Sequence, residues 1–295
     1  MAKRLTTADF HPEVLGLFDR YVHGLIDRRE FLSGSAAIVG SAAATGMLAA
    51  LAPRFAAAQQ VSPEDPRIRV SRIDFDSPNG HGSGRAYLAR PVAAGAAPMV
   101  LVAHENRGLN PHVEDIARRL AVDGFIALAP DALHPLGGYP GDEDAARTAF
   151  QKLEQDKVRQ DFLAAAQLLL AMDSSNGRLG TVGFCWGGGM ANFLATQLPE
   201  LRAAAPFYGS GPAPEDVARI RAELLVVLAA EDERINAGWP AYRDALDRAG
   251  VKYELFQPAG TVHGFNNDTT PRYHERAAKA AWAKTLALFN RTLRA

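Results

Sequence analysis

A single cysteine, Cys185, stands in a chain of 295 residues. One thiol cannot close an intramolecular disulfide, so the cysteine count neither requires nor excludes an oxidising compartment. Charge of one sign is lacking as well: 32 basic residues against 33 acidic leave a formal net charge of −1. That balance gives no field able to gather nucleic acid or an anionic membrane, and neither is expected as a partner. A Leu-rich span is also missing. The uncharged run from Leu32 to Pro53 is long enough to cross a bilayer, but it consists mainly of Ala, Gly and Ser, whose transfer free energy is weak.

What surrounds that run is more telling. Arg28 and Arg29 stand just before Phe31 and Leu32, and the small residues Ala56, Ala57 and Ala58 follow the run. Paired arginines, an uncharged stretch and a small-residue end form the pattern of a twin-arginine export signal cut near Ala58. Residues 1–58 are therefore expected to be an export signal and 59–295 a single domain. This places the mature protein in the periplasm or outside the cell, with the twin-arginine machinery as a transient partner. One stretch fits differently: Val14, Leu15, Phe18, Tyr21, Val22 and Leu25 recur at helical spacing upstream of the arginines. That spacing equally describes an uncleaved amphipathic helix packed on the body or lying in a membrane.

From residue 66 onward, short apolar runs alternate with helical stretches. This is the signature of an α/β domain with a mostly parallel sheet covered by helices on both faces. "IRVSRIDF" and "GRAYLARP", joined by the turn-rich "DSPNGHGS", predict an opening antiparallel hairpin. "PMVLVAHE", "FIALAPD", "RLGTVGF", "AAAPFYG", "ELLVVLAAED" and "KYELFQPAG" read as strands. Helices are expected at Pro111–Val122, over 145–172 with one break, at 187–198, at 239–250 and over 271–293, and 132–144 as a loop. No repeat and no second domain is visible. In such sheets functional groups collect beyond the carboxyl ends of the strands.

Cys185 lies there, in Gly183-Phe184-Cys185-Trp186-Gly187, one residue past a strand and just before a glycine-rich helix start. This is the spacing of a nucleophile elbow, in which a cramped strand-to-helix turn exposes the central side chain and leaves no room for a Cβ at the flanking glycines. A helix N-terminus behind the sulfur favours its thiolate. In chain order the acid and the histidine should follow at later strand ends. Asp232 closes "LLVVLAAED" and His263 stands in "PAGTVHGF", so Cys185, His263 and Asp232 are the candidate nucleophile, base and orienter. Glu231 and Glu233 are the alternative acids if the register is off by one. The backbone N–H groups of Trp186 and Asn106 are the candidate oxyanion hole.

These residues, with Glu105 in "HENRGLN", resemble the dienelactone hydrolase family of the α/β-hydrolase fold over roughly residues 68 to 293. Glu105, Gly108 and Asn110 meet the family's Glu-x-x-Gly-x-Asn pattern. The resemblance implies an α/β-hydrolase fold and hydrolysis of an ester or lactone through an acyl-cysteine. It further implies that Glu105 holds Cys185 as a neutral thiol until substrate arrives. That chemistry requires no cofactor and no metal. The likeness thins at the substrate: well-known members read a carboxylate with an arginine four residues after the histidine and another after the "FIALAPD" strand. Here the first position is Asn267 and "ALHPLGGYPG" contains no arginine. A neutral amide does not replace a bidentate guanidinium, so dienelactone itself is not the expected substrate. Arg107, His134, Tyr139, Phe265 and Asn267 are the candidate substrate-binding residues, with Trp186 beside Phe265, Tyr139 and His134 as walls of a more apolar pocket.

Two other readings share the triad or the fold. One is an acyl-thioester hydrolase or acyltransferase, which differs only in the acceptor that resolves the acyl-cysteine. The other is a non-catalytic periplasmic binding protein, against which the complete nucleophile, acid and histidine set argues. His104-Glu105 lacks the second histidine of a zincin helix, and the glycines at 187–189 lack the Lys-Ser/Thr of a P-loop.

Overall fold

The computed structural model describes residues 4–93 and 95–294. The first three residues of the expected 1–58 segment, Ala94 and the terminal Ala295 lie outside the described residues. The elements run α1 (Pro12–Val22), α2 (Arg28–Val39), α3 (Ser41–Leu51), α4 (Phe55–Ala58), β1 (Ile68–Ser77), β2 (Gly82–Pro91), β3 (Ala97–Ala103), α5 (Pro111–Val122) and β4 (Ile126–Pro130). They continue α6 (Glu143–Phe150), α7 (Gln155–Leu170), β5 (Ser175–Phe184), α8 (Trp186–Gln197), β6 (Leu201–Phe207), β7 (Glu223–Val227), α9 (Glu233–Asn236), α10 (Trp239–Ala249), β8 (Tyr253–Phe256) and α11 (Glu275–Leu293).

Eight strands form one sheet in the order β1-β2-β4-β3-β5-β6-β7-β8. The β1–β2 hairpin is antiparallel, β2 meets β4 antiparallel, and all later pairings are parallel. This is the α/β-hydrolase arrangement the sequence predicts. The central parallel strands β3, β6 and β7 are buried on both sides, in keeping with their continuous apolar runs, whereas the edge strand β8 is largely exposed. Leu101, Phe162, Leu194 and Leu246 belong to the core on one face, and Val102, Ile116, Phe125 and Phe289 to the core on the other. Helix starts follow the local chemistry. Asn110 accepts from the N–H of Val113 with Pro111 at the first helical position of α5, and Asp142 caps α6 through the N–H of Ala145.

The N-terminal residues build a third, smaller core of their own from Phe10, Val14, Phe18, Tyr21, Val22, Ile26, Phe31 and Leu51. The uncharged run is not one helix: Gly40, at φ 84°, ends α2 and begins α3. Among the described residues no helix is long and apolar enough to cross a membrane. The segment is fastened to the body by directed contacts. The Arg147 guanidinium donates to the Tyr21 carbonyl at 2.5 Å and lies 4.2 Å from the centre of the Tyr21 ring. The Tyr21 hydroxyl donates to Asp144, which also pairs with Arg28 at 3.1 Å. Further along, the N–H of Arg54 donates to the carbonyl of Thr269 at 2.8 Å.

Candidate active site

The chain leaves β5 at Phe184 and starts α8 at Trp186, so Cys185 alone must make the turn. It does so at φ 55° and ψ −115°, a strained backbone for a residue with a side chain. The flanking glycines are sterically obligatory. A Cβ on Gly183 would lie 1.9 Å from the carbonyl oxygen of Gly187, and one on Gly187 would lie 2.2 Å from that of Ala103. Strand and helix thus touch backbone to backbone, which pushes the thiol beyond the sheet.

His263 and Asp232 meet it there. Asp232 sits at the N-cap of α9, where one carboxylate oxygen accepts from the N–H of Ile235 and the other from Nδ1 of His263 at 2.5 Å. The helix cap and the candidate triad acid are therefore the same side chain. Both Asp232 and His263 are about 5% exposed, whereas Glu231 and Glu233 are exposed. The His263 ring packs against Tyr208 with centroids 4.9 Å apart, and Tyr208 also takes a positive φ of 37°.

A second imidazole enters the same space. His23, at the end of α1, places Nε2 at 3.2 Å from Nε2 of His263 and 3.5 Å from the Cys185 sulfur. Its Nδ1 donates to the backbone carbonyl of Asp19 at 2.7 Å and lies 3.3 Å from the Asp19 carboxylate. The neighbouring carbonyl of Val22 accepts from the side chains of Asn106 and Arg107 at 3.0 and 3.2 Å. The N-terminal segment is thus part of the site in the intact chain.

The electrostatics favour an ion pair. Desolvation pushes the Cys185 thiol up, but the charge on His263 and hydrogen bonds with His23 and His263 outweigh it and bring the thiol down to about 5. For His263, desolvation acts downward, while the neighbouring thiolate and the hydrogen bond to Asp232 raise it to about 10. His23 is raised too, its burial outweighed by Asp19 and the thiolate. Glu105 does not reach the sulfur by a hydrogen bond here; its Oε2 receives one from Asn267 at 3.5 Å. Trp186 is the first residue of α8, so its N–H has no intrahelical acceptor, and Asn106 follows Glu105 in the loop after β3.

A cavity of about 700 Å³ opens beside the thiol, lined by Cys185, Trp186, Met190, Phe193, Leu25 and Arg159 among others. Trp186, also expected at the pocket, lines it, and Arg107, His134, Tyr139, Phe265 and Asn267 do not. Arg107 is buried in an ion pair with Glu143 at 3.1 Å, and the Tyr139 hydroxyl is spent on the same carboxylate at 2.8 Å. Phe265 lies fully buried in the core, its ring 5.8 Å from that of Tyr208. Asn267 is buried against Glu105 and Thr269, and His134 sits in a 3-10 turn following β4. In the other direction, sequence reasoning passed over His23 and Asp19. The available signal was Asp19-x-x-x-His23, a carboxylate and an imidazole one helical turn apart on a face that also carries Val22.

Comparison with known proteins places the architecture. Residues 85–293 match the family model described as the dienelactone hydrolase family, and residues 1–40 match one described as YqhI-like. A Salmonella typhi protein provisionally named carboxymethylenebutenolidase is 35% identical over 220 residues, covering 69% of this chain and 81% of its own length. The provisionally named hydrolase fragment YghX of Escherichia coli is 51% identical over 105 residues, 35% of this chain and 90% of the fragment. Among solved structures, a provisionally named dienelactone hydrolase from Klebsiella pneumoniae superposes with a TM-score of 0.66 at 29% identity, over 75% of this chain and 98% of its own. With the family model spanning most of the sheet and the elbow inside it, the chain belongs to the dienelactone hydrolase family.

Proposed function

We propose that the protein hydrolyses a carboxylic ester or lactone, with Cys185 as nucleophile, His263 as base and acid, and Asp232 as orienter. The observation that carries this reading is the cysteine held at φ 55° on the elbow, in one cluster with an imidazole whose far nitrogen is fixed at 2.5 Å by a buried carboxylate. The thiolate attacks the carbonyl carbon, and the oxygen takes up the negative charge against the N–H groups of Trp186 and Asn106. When the tetrahedral adduct collapses, the C–O bond to the leaving alcohol breaks and His263 supplies the proton to that oxygen. Water then gives a proton to His263 and attacks the acyl-cysteine, which releases the acid and regenerates the thiolate. Asp232 keeps the imidazole in the tautomer that both proton transfers need.

The cavity supports a substrate with an apolar acyl or alcohol portion, because Trp186, Met190, Phe193 and Leu25 form its walls. We further propose that residues 1–58 carry a twin-arginine export signal. Arg28 and Arg29 support that reading, since both are exposed in the first turn of α2. The test is burst kinetics on p-nitrophenyl esters and simple lactones, with intact-mass detection of the acyl-enzyme. Turnover with an adduct on Cys185, both absent in Cys185→Ala, is expected. Unchanged turnover in Cys185→Ala sinks the reading.

A further inference from the structure

Three side chains with metal-binding donor atoms, Cys185, His23 and His263, converge at the site. The carbonyl of Asp19 can only accept, so Nδ1 of His23 must carry hydrogen. Nδ1 of His263 likewise donates to the Asp232 carboxylate. In their neutral forms both rings therefore present a bare lone pair at Nε2, and these two atoms lie 3.2 Å apart with a sulfur 3.5 Å from one of them. In the metal-free chain the His263 proton and the Arg234 guanidinium fill that space, and a divalent ion takes the place of both.

We propose that Cys185, His23 and His263 form a binding site for zinc or a similar thiolate-seeking divalent ion, which clasps the N-terminal segment across the hydrolase site. One donor atom from each of the three lies within 4.8 Å of the other two. A tetrahedral zinc with Zn–N about 2.0 Å and Zn–S about 2.3 Å has ligand edges of roughly 3.3 Å between nitrogens and roughly 3.5 Å between nitrogen and sulfur. Two of those edges match, His23 to His263 at 3.2 Å and His23 to Cys185 at 3.5 Å, and the third, from His263 to the sulfur, must take the same length. Each histidine also has the outer partner usual for a metal ligand: Asp232 fixes one ring, and Asp19, through its carbonyl and carboxylate, fixes the other. One thiolate and two imidazoles select zinc, cobalt, nickel or copper over magnesium or calcium. The fourth position is left for water or a substrate atom from the adjoining cavity.

Two adjustments accompany binding. Arg234 lies with its guanidinium 3.0 Å from Nε2 of His23, where it caps that lone pair, and it must turn aside. Because its side chain also lines the cavity, it has room to do so. The two rings, perpendicular with centroids 4.5 Å apart, must turn slightly for both lone pairs to point at one ion. Asp19 and Asp232 keep the metal-loaded site from accumulating positive charge. The site itself stands apart from the hydrolase reading, but its consequence rests on it: a metal on the sulfur and on Nε2 of His263 removes nucleophile and base together.

The experiment uses the full chain, stripped with a chelator and dialysed against zinc or cobalt. One zinc per chain is expected, and cobalt should give tetrahedral d–d bands with a thiolate-to-cobalt charge-transfer band that Cys185→Ser abolishes. His23→Ala should weaken zinc binding by about 100-fold, and Asp19→Asn, which keeps the ring, by about tenfold. Near-ultraviolet circular dichroism checks that each variant is folded. Failure to retain zinc overturns the proposal, and so does unchanged zinc affinity in both the His23 and Asp19 variants. Ester turnover of the stripped protein separates the two readings. Turnover without zinc binding overturns the clasp alone, whereas a three-ligand zinc site in a stripped protein that hydrolyses nothing overturns the hydrolase alone.

Discussion

Two glycines six residues apart should respond to the same methyl group in opposite directions. In Gly183→Ala the new Cβ meets the Gly187 carbonyl oxygen at 1.9 Å, its carbon at 2.4 Å and the Cβ of Ala103 at 3.1 Å. Ordinary contact needs about 3.5 Å, so β5 and α8 must separate by about 1.5 Å at the elbow. Backbone cannot rotate out of the way as a side chain can, and neither element is free, since β5 is paired on both edges. The expected cost is about 3 kcal/mol or more. Turnover should fall by at least about 100-fold in whatever fraction remains folded, because a shift of about 1 Å misplaces the sulfur. Gly189→Ala is the control. Its Cβ would have no neighbour closer than 3.8 Å, and the site lies inside α8, where Ala replaces Gly with a gain of about 1 kcal/mol. Urea unfolding followed by tryptophan fluorescence reads both, with Trp186 at the elbow as one reporter. A Gly183→Ala protein that unfolds at the wild-type midpoint and keeps its turnover refutes the steric account of the elbow.

Four further outcomes follow from the same geometry. Alkylation of the sole thiol in chelator-treated protein should rise through an inflection near pH 5, not near the ordinary 9.0. The sign for stability follows from the two shifts. The lowered thiol contributes fully above pH 9 and loses that contribution as pH falls through about 5, whereas the raised His263 contributes fully below pH 6.5 and loses it as pH climbs through about 10. A urea midpoint that is lower in Cys185→Ala at pH 7, with the difference vanishing at pH 4, checks this. Asp232→Asn should reduce turnover on the order of 10³- to 10⁴-fold by freeing the imidazole tautomer, and a loss under tenfold contradicts the orienting role. Phe18→Ala removes a ring that is 5% exposed, 6.0 Å from Phe31 and 5.4 Å from the Arg272 guanidinium. A loss of about 3 kcal/mol in that small separate core should speed hydrogen exchange over residues 12–31 by about 100-fold and leave the sheet amides unchanged.

How far the sequence reaches differs by level. The helix expected at Pro111–Val122 forms with those ends, because Asn110, Pro111 and the apolar face all act locally. The helical stretch over 145–172 breaks between α6 and α7, as expected. Other boundaries moved: β7, expected through Asp232, ends at Val227, and β8, expected through Gly260, ends at Phe256. The closing helix starts at Glu275 instead of 271, because the N–H of His274 is taken by the Phe265 carbonyl and the His274 side chain caps the helix. β5 begins three residues early, where Ser175 pairs with Ala97. The positions of Cys185, Asp232 and His263 were legible for a similar reason: the elbow and the strand ends fix where the backbone delivers them. The pocket was not legible. Where Arg107 points depends on Glu143, thirty-six residues away, and no local pattern announces that pair.

The N-terminal segment shows why one motif can hide another. Read as part of an export signal over residues 1–58, Arg28, Arg29 and the uncharged run after them call for no side-chain chemistry upstream of the arginines. Yet the apolar spacing over 14–25 was visible, and Val14, Phe18, Tyr21 and Val22 are indeed buried, which turns α1 so that its end meets the carboxyl edge of the sheet. Once that face is fixed, Asp19 and His23 have little freedom. They lie one turn apart beside the apolar stripe, and the Val22 carbonyl is held by Asn106 and Arg107 within the loop that follows β3. The position of His23 is therefore set by side chains of both partners, the segment and the loop, and each half of that information is silent without the other. The proposed export motif and the proposed ligand His23 are compatible only in a segment that stays uncleaved, with Arg28 and Arg29 in the exposed first turn of α2 and the imidazole at the end of α1.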